Sequence, residues 1–227
     1  MGGRKNPYHR PRVRGCVAVL FATLGFTPQP VLAPLLRRPN DFSDLHVFFG
    51  PPGNPDSERA LAEVRARCAD LGVRLVEHPV ADAFDYLGFL RSFEQALQAA
   101  GGPVRFNASG GTRVMVMAAT IFCFTRDLEM LYFDELGTRD GKVIPLKAFR
   151  NLDRLNVSQR AILTRLGEGE ADMTTLAERL GLANSTLTSH IHGLAKTGAV
   201  VVSRRGRARV VSLVPDLAAM NLARGAA

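Results

Sequence analysis

The sequence predicts an α/β protein in two parts: a Rossmann-like, mostly parallel sheet with helices on both faces, followed by a small winged helix–turn–helix domain. Short β-branched runs alternate with longer helical patterns over the first 150 residues, and this alternation is typical of right-handed βαβ units. After residue 150 the pattern changes to three helices and a hairpin. Basic residues are concentrated at the two ends of the chain, which indicates a polyanionic partner for the second part.

The first part, residues 15–150, is predicted to contain the parallel sheet. Strands are expected at residues 13–22, 45–50, 73–78, 104–108 and 129–133, with a sixth candidate at 142–148. Helices are expected between them at residues 29–38, 58–71, 84–100 and 112–125. Ser57 is a suitable N-cap for the second helix. Phe84 opens an apolar repeat at helical spacing, which continues with Leu87, Leu90, Phe93 and Leu97.

A basic arm, residues 1–14, precedes the first strand and carries five basic and no acidic residues. Together with the apolar stretch at 16–26, this arm also resembles the start of a signal peptide. Thr23 and Gly25 interrupt the apolar stretch, and a buried strand is therefore the favoured interpretation. The next apolar run, 114–124, is about half of the ~20 residues that a membrane span needs. We therefore expect a cytoplasmic protein without a membrane segment.

Three cysteines, Cys16, Cys68 and Cys123, are widely spaced and odd in number. They form neither a CxxC pair nor a metal-ligand pattern, and the five histidines have no HExxH spacing. Buried, reduced thiols in a reducing compartment fit this pattern. The sequence therefore indicates no metal site and no cofactor.

Residues 158–215 have the order and lengths of a winged helix–turn–helix, after a short polar joint at 151–157 and before a tail at 216–227. Ser158 is predicted to cap a helix over 159–166, and Thr174 to cap one over 175–180, which Gly181 ends. Asn184 or Ser185 opens a third helix that continues to Lys196. Apolar runs at 200–203 and 209–213 predict a hairpin, the wing.

The third helix and the wing carry groups that are suited to DNA. The packed side of the two-helix unit is predicted to consist of Leu176, Ala177, Leu180, Leu187 and Ile191. Short polar side chains suited to a major groove lie on the other side of the third helix: Ser185, Thr186, Thr188, Ser189, His190 and His192. Four arginines at the wing are predicted to reach phosphates or a minor groove: Arg204, Arg205, Arg207 and Arg209.

The charge distribution supports the DNA interpretation. Residues 151–227 contain 10 basic and 6 acidic residues, whereas residues 15–150 contain 14 basic and 15 acidic residues. The alternative is a winged helix that serves only to dock proteins or to dimerise. Four arginines at one wing favour DNA, because a purely structural module has little use for them.

Two loops after predicted strands are candidates for a ligand site. The segment 107–113 reads Asn-Ala-Ser-Gly-Gly-Thr-Arg and lies between a strand and a helix. Its glycines permit a sharp turn with amides exposed at a helix N-terminus, and Ser109, Thr112 and Arg113 add donors for an anion. The segment matches neither a Walker motif nor GxGxxG, and a plain strand–helix turn is the alternative. Residues 23–26 follow the first strand, and such loops share one crevice, with 50–54 as a third wall.

Ala22-Thr23-Leu24-Gly25-Phe26 after the first strand, together with Ser109-Gly110-Gly111-Thr112-Arg113 after a later strand, resembles the CRISPR-associated Rossmann-fold (CARF) domain. With its winged helix–turn–helix, the chain resembles CRISPR-associated transcriptional regulators of that architecture over about residues 14–213. The two loops and the C-terminal module make the resemblance fairly specific, whereas either loop alone does not. The basic arm is not part of the family's pattern.

The resemblance implies a transcriptional regulator in antiviral defence that is a homodimer through its sensor domains, binds double-stranded DNA and responds to a cyclic oligoadenylate. Such ligands, often the tetra-adenylate, lie across the dimer at the two loops. Matched by position, the ligand-binding residues on one wall would be Thr23, Leu24, Gly25 and Phe26. Those on the other wall would be Asn107, Ser109, Gly110, Gly111, Thr112 and Arg113.

The helix at 114–124 independently favours a dimer. It offers more apolar side chains than one sheet face readily covers, namely Val114, Met115, Met117, Ala118, Ile121 and Phe122. The alternative is that both sides of this helix are buried within one protomer.

Two alternatives to the expected function stay open. One is a regulator that senses another nucleotide or a metabolite in the same crevice. The other is a ring nuclease, since some CARF domains cleave their own cyclic ligand. Cleavage needs in-line geometry and stabilisation of developing charge, to which Thr112 and Arg113 could contribute. The sequence offers no further general base, and we therefore expect a binding protein rather than an enzyme.

Overall fold

The structure is a computed structural model that describes residues 17–137, 140–206 and 208–219. The basic arm, Cys16, Arg207 and most of the C-terminal tail lie outside the described residues. The chain divides into two compact units between Ile144 and Pro145. The predicted boundary lay after residue 150, but Ala148 is buried in the hydrophobic core of the C-terminal unit. Leu152 and Leu155 of the predicted joint also pack against that core.

The N-terminal unit is a six-stranded sheet of order β3-β2-β1-β4-β5-β6. Its strands are β1 (Ala18–Thr23), β2 (Phe42–Phe49), β3 (Arg74–Pro79), β4 (Val104–Asn107), β5 (Glu129–Tyr132) and β6 (Lys142–Ile144). The first five strands are parallel, and β6 pairs with β5 in the antiparallel direction. The predicted Rossmann-like topology is confirmed, and β1 lies near the centre of the sheet, as expected of a buried first strand.

Helices cover both faces of this sheet: α1 (Gln29–Arg37), α2 (Pro55–Leu71), α3 (Tyr86–Ala99) and α4 (Arg113–Arg126). On one face, buried residues of α1 and α2 pack against aliphatic side chains of β1 and β2. On the other face an aromatic cluster joins the sheet to α3 and α4. Phe106 is 4.9 Å from Phe93 and 6.4 Å from Phe122 between ring centroids. With no Trp in the chain, phenylalanines supply the large side chains of this core.

Several predicted boundaries are wrong in detail. Asn54, not Ser57, caps α2, because its side chain accepts hydrogen bonds from the amides of Asp56 and Ser57. The sixth strand ends at Ile144, since residues 146–150 instead form the short helix α5 (Leu146–Arg150). Phe84 precedes α3 rather than opening its packed face, which consists of Phe89, Phe93 and Ala96.

The C-terminal unit is a winged helix–turn–helix. After a single 3-10 turn (Leu152–Arg154) come α6 (Val157–Gly167), the short strand β7 (Ala171–Asp172), α7 (Met173–Leu180), α8 (Asn184–Thr197) and the wing strands β8 (Val200–Arg205) and β9 (Ala208–Leu213). A final short helix, α9 (Pro215–Ala219), follows. The three strands form one antiparallel sheet of order β7-β9-β8. Leu176, Leu187 and Ile191 are buried between the helices, as predicted, whereas Leu180 is only partly buried.

Two predicted helix caps in this unit are replaced by neighbouring residues, whereas α8 begins at Asn184, one of its two predicted opening residues. Asn156, not Ser158, caps α6 in a reciprocal capping box with Gln159. Asp172, not Thr174, caps α7 and accepts hydrogen bonds from two backbone amides. Ala183 occupies the N-cap position of α8 without a side-chain hydrogen bond. The helices α6 and α7 each begin two residues before the predicted position.

Across residues 17–137, 140–206 and 208–219, the chain contains no helix that combines the length and apolar character needed to cross a bilayer.

Candidate ligand site and DNA-binding face

The two predicted ligand loops are in direct contact at the carboxyl ends of β1 and β4. A Cβ atom on Gly25 would lie 3.0 Å from the backbone nitrogen of Gly111, and one on Gly110 would lie 2.7 Å from the carbonyl oxygen of Thr23. Gly111 also has a φ of +90°. The two loops therefore approach each other more closely than side chains would permit, which explains the glycines on both sides.

A buried hydroxyl joins the two loops. Thr23 is fully buried, and its Oγ1 donates a hydrogen bond of 2.6 Å to the carbonyl oxygen of Gly110. Leu24 is buried as well, with its side chain in the core between the sheet and α1. Of the first predicted wall, only Gly25 and Phe26 reach the surface. The buried side chains of Thr23 and Leu24 thus hold the loop in place and do not form part of its surface.

Asn107 and Ser109 fix the start of the second loop. Asn107 is fully buried and its Nδ2 donates a 2.8 Å hydrogen bond to the carbonyl oxygen of Pro30 at the start of α1. Its Oδ1 accepts from the amide and the hydroxyl of Ser109. The Ser109 Oγ in turn accepts from the amide of Phe133, 2.7 Å away, just after β5. The side chains of Asn107 and Ser109 thus connect the loop after β4 to the start of α1 and to the segment after β5. Their polar atoms are engaged in these hydrogen bonds.

Thr112 is the N-cap of α4. Its Oγ1 accepts a hydrogen bond from the amide of Met115 at 3.2 Å and donates one of 2.9 Å to the carbonyl oxygen of Ala83. Ala83 lies in the loop after β3, and a Cβ atom on Gly50 would lie 2.7 Å from the Ala83 Cβ. The predicted third wall after β2 therefore packs against the loop after β3, a fourth element that the sequence interpretation missed.

Four groups face solvent around the contact. Gly111 and Arg113 are exposed on one side, and Phe26 and Phe84 are 61% and 70% exposed at the ends of the loops after β1 and β3. The guanidinium of Arg113 has no ion-pair partner among the described residues. The 14-residue α4 begins directly beside it, so its N-terminal dipole adds to the positive potential. The arrangement is suited to a phosphate group beside an apolar rim.

One side of α4 is packed and the other is exposed. Met115, Ala118 and Phe122 are buried, as one sheet face requires. Met117, Ile121 and Phe124 are 51%, 43% and 38% exposed, at a spacing that places them along one side of the helix. The predicted excess of apolar side chains on this helix is therefore present in the structure.

The predicted polar side of α8 is exposed. Ser185, Thr186, Thr188, Ser189 and His192 are exposed, and His190 is partly buried. On a helical projection, Ser185, Ser189 and His192 point directly away from buried Leu187, Ile191 and Leu194. Lys196, which the sequence interpretation treated only as the helix end, is exposed and lies one turn further along the same side. Thr188 donates a hydrogen bond to the carbonyl oxygen of Asn184 instead.

The wing places two arginines side by side. Arg204 and Arg209 are directly opposite each other in the β8–β9 ladder, exposed, and without a hydrogen bond or ion pair among the described residues. Like charges in this position repel each other. Arg205 differs, since its guanidinium lies 2.5 Å from Oε1 of Glu170. Gly206 makes the turn with a φ of +62°, and the predicted contact Arg207 lies outside the described residues.

A pair of histidines lies on two neighbouring strands of the sheet. His46 on β2 and His78 on β3 are joined by a hydrogen bond of 2.9 Å between Nδ1 and Nε2. His46 stacks on Phe21, and His78 stacks on Phe48. Burial and the neighbouring His78 lower the pKa of His46 to about 4, and burial also lowers the pKa of His78. Both rings are neutral members of the aromatic core near pH 7.

The two described cysteines are free and buried. Burial raises the pKa of the Cys68 thiol to about 11 and raises that of Cys123 further. Both thiols are therefore protonated and unreactive near neutral pH.

No protein-family model matches the chain, and no curated protein matches it. Among solved structures, Can2 from Sulfobacillus thermosulfidooxidans in complex with cyclic tetra-adenylate is 14% identical, with a TM-score of 0.46 over 91% of this chain and 63% of that one. The chain thus spans less than two thirds of the Can2 chain.

Two further similarities concern the C-terminal unit. HlyU from Vibrio cholerae is 27% identical, with a TM-score of 0.31 over 33% of this chain and 84% of its own. The homodimeric winged helix–turn–helix DNA-binding domain of Mb0332 from Mycobacterium bovis is 22% identical, with a TM-score of 0.31 over 34% of this chain and 69% of that one.

Proposed function

We propose that the protein is a transcriptional regulator of a CRISPR system whose DNA binding responds to a cyclic oligoadenylate, most simply cyclic tetra-adenylate. The observation that carries the proposal is the closure of the loop after β1 onto the Gly110-Gly111 loop after β4. This closure leaves backbone amides and Arg113 beside the N-terminus of α4, where a phosphate is favoured. The same chain presents an exposed polar recognition helix and an arginine wing.

The proposed regulator is a homodimer in the cytoplasm. The exposed apolar side of α4, formed by Met117, Ile121 and Phe124, supports association of two sensor units. In a two-fold dimer the ligand sites face a shared axis, and two recognition helices face operator half-sites about 34–36 Å apart. A ligand that spans the axis is then able to change the spacing of the two helices.

We further propose that the protein binds its cyclic ligand without cleaving it. The hydroxyls of Thr23, Ser109 and Thr112 each take part in a hydrogen bond within the unit. None of the three is therefore available to activate a ribose hydroxyl without breaking a bond that holds the loops. After incubation with the protein, chromatography should recover cyclic tetra-adenylate intact.

The proposed function is tested by titrating the protein with cyclic tetra-adenylate in a calorimeter, against a panel of other nucleotides. We expect binding with one ring per dimer, and loss of binding when Met117 and Ile121 are both replaced by Asp to disrupt the dimer. Absence of binding to any cyclic oligoadenylate, or equal binding to unrelated mononucleotides, would contradict the proposal.

A further inference from the structure

Phe84 is an exposed aromatic residue on a firmly held turn. Its amide donates a 2.8 Å hydrogen bond to Oδ1 of Asp82, and the amide of Asp85 bonds to the carbonyl oxygen of Asp82. Asp85 then caps α3 by accepting from the amide of Gly88. The backbone of Phe84 is therefore fixed on both sides, while its ring is 70% exposed. This large apolar ring is held in water by an ordered backbone and makes no ring contact with another described residue.

The turn is attached to the ligand loop. Ala83, next to Phe84 in the chain, accepts the hydrogen bond from Oγ1 of Thr112 at 2.9 Å. On the opposite side Gly25, next to Phe26, lies against Gly111. Each of the two exposed phenylalanines is thus one residue away from a direct contact with the Gly111-Thr112 segment. Since consecutive Cα atoms are 3.8 Å apart, the backbones of Phe26 and Phe84 lie close to the proposed phosphate position.

The two sides of the proposed phosphate position differ in charge. The first side has exposed Gly111 and the exposed cation Arg113, whereas the turn at Phe84 has an aromatic ring and the carboxylates of Asp82 and Asp85. Asp85 is further engaged by Arg91, 3.4 Å away. A phosphate is favoured beside the cation Arg113 and disfavoured beside the carboxylates of Asp82 and Asp85. A ligand that carries a phosphate and a flat uncharged group fits both sides.

We propose that Phe84 is a stacking platform for a nucleobase of the bound ligand, and that it determines the selectivity for nucleotides over simple phosphates. The inference rests on the proposed function and assigns to the loop after β3 a role in the same site. Stacking on an aromatic side chain strengthens binding by about 5- to 150-fold per base. Phe26, opposite, is the matching ring on the loop after β1.

The absence of Trp from the chain permits a direct optical test. In the full-length variant Phe84→Trp, the only indole lies at the proposed platform, and stacking on adenine should quench its fluorescence. We expect saturable quenching by cyclic tetra-adenylate and none by inorganic pyrophosphate, which has no base. The matched control is Val17→Trp. Val17 is 47% exposed at the amino end of β1, the end of the strand that lies away from the ligand loops.

Affinities provide the second measurement. Phe84→Ala and Phe84→Leu should each weaken binding of cyclic tetra-adenylate by about 5-fold or more, while Phe84→Tyr should keep wild-type affinity because it keeps the π face. Unchanged affinity in both Phe84→Ala and Phe84→Leu would overturn the proposal. Indole fluorescence of the Phe84→Trp variant that responds to protein concentration but not to ligand would also overturn it, and would instead assign the ring to a protomer interface.

These outcomes are separate from a failure of the proposed function. If wild-type protein binds no cyclic oligoadenylate, the proposed function fails and the role of Phe84 fails with it. If wild-type protein binds the ring and the Phe84 variants bind it equally well, the proposed function stands and the platform alone is refuted.

Discussion

The candidate ligand loops after β1 and β4 and the candidate DNA-binding face of α8 and the wing use their polar residues in opposite ways. In the sensor unit the side chains of Thr23, Asn107, Ser109 and Thr112 are consumed by hydrogen bonds within the protein. In the winged helix, Ser185, Ser189, His192 and the arginine pair of the wing face solvent, with no side-chain partner in the described part of the chain.

This difference indicates two modes of recognition. Under the proposed function, the loops after β1 and β4 would form a preorganised backbone surface, in which side chains set the shape and amides, glycines and exposed rings would meet the ligand. The α8 and wing surfaces would recognise DNA through the side chains themselves, as DNA-binding helices do. Substitutions should therefore alter shape and stability in the first region, and contacts without change of fold in the second.

The largest expected effect is in the sensor loops. Gly110→Val places a branched side chain 2.7 Å from the Thr23 carbonyl, so the loops must separate. We expect cyclic tetra-adenylate affinity to fall by at least about 100-fold, or about 2.7 kcal/mol, in calorimetric titration. The matched control is Gly101→Val, since no atom lies within 4 Å of a Cβ there. Equal losses in both variants would show that the close approach of the loops is unimportant.

On the DNA face, the double variant Arg204→Ala/Arg209→Ala should weaken binding to all sequences. Each arginine is expected to contact one phosphate, so the slope of log K against log salt should fall by about one per lost contact. Arg205→Ala should have a smaller effect, because its guanidinium is already paired with Glu170. Anisotropy titrations at several salt concentrations measure both, and an unchanged slope in the double variant would exclude a phosphate contact.

Thr112→Val tests whether the Thr112 hydroxyl stabilises the N-terminal unit or contacts the ligand. The substitution keeps the shape but removes the N-cap and the bond to Ala83. We expect a loss of about 1–3 kcal/mol in the free energy of unfolding of the full chain, with Thr112→Ser close to wild type. A variant of wild-type stability but reduced ligand affinity would instead place the hydroxyl on the ligand.

Single serine substitutions on α8 should have a narrower effect. Ser185→Ala or Ser189→Ala should relax the preference at individual base pairs by about 1–3 kcal/mol, while binding to non-specific DNA stays unchanged. Selection from a randomised DNA library reports this directly. Uniform weakening across all sequences would indicate that these hydroxyls contact phosphates only.

The smallest expected effect is on the pH dependence of the free energy of unfolding. Because the folded-state pKa of His46 is about 4, below the unfolded value near 6.5, the unfolded state binds more protons between those pH values. Stability should therefore be full above about pH 6.5 and decline as the pH falls towards 4. His46→Phe should reduce the slope of this decline in urea unfolding, and a slope identical to that of wild type would exclude His46 as its source.

The sequence patterns predicted most of the fold because strand and helix periodicities are strong in this chain. Buried β1 and the packed side of α8 followed directly from apolar spacing. Caps were less predictable, since Asn54, Asn156 and Asp172 each compete with a nearby Ser or Thr of similar propensity. The exposure of Phe84 could not be predicted either, because its spacing fits the packed side of α3 and only the turn fixed by Asp82 shows that the helix begins later.

The meeting of the two candidate loops was predicted, but the hydrogen bonds of their side chains within the protein were not. Glycines after β1 and β4 indicated a close approach, because few other residues permit it. That Thr23 and Asn107 face inward depends on contacts with residues 77 to 87 positions away, which no local pattern contains. The domain boundary was misplaced for the same reason, since Ala148 is buried by residues far along the chain.

Coupling between the two units is the central claim, and fluorescence anisotropy on DNA selected by the wild-type protein tests it most directly. With saturating cyclic tetra-adenylate, we expect DNA affinity to change by about 5- to 150-fold, and ligand affinity to change by the same factor when DNA is bound. A Gly-Ser insertion between Ile144 and Pro145, where the two units divide, should abolish this change while sparing both binding activities. Identical binding curves for the wild-type protein with and without ligand would contradict the account.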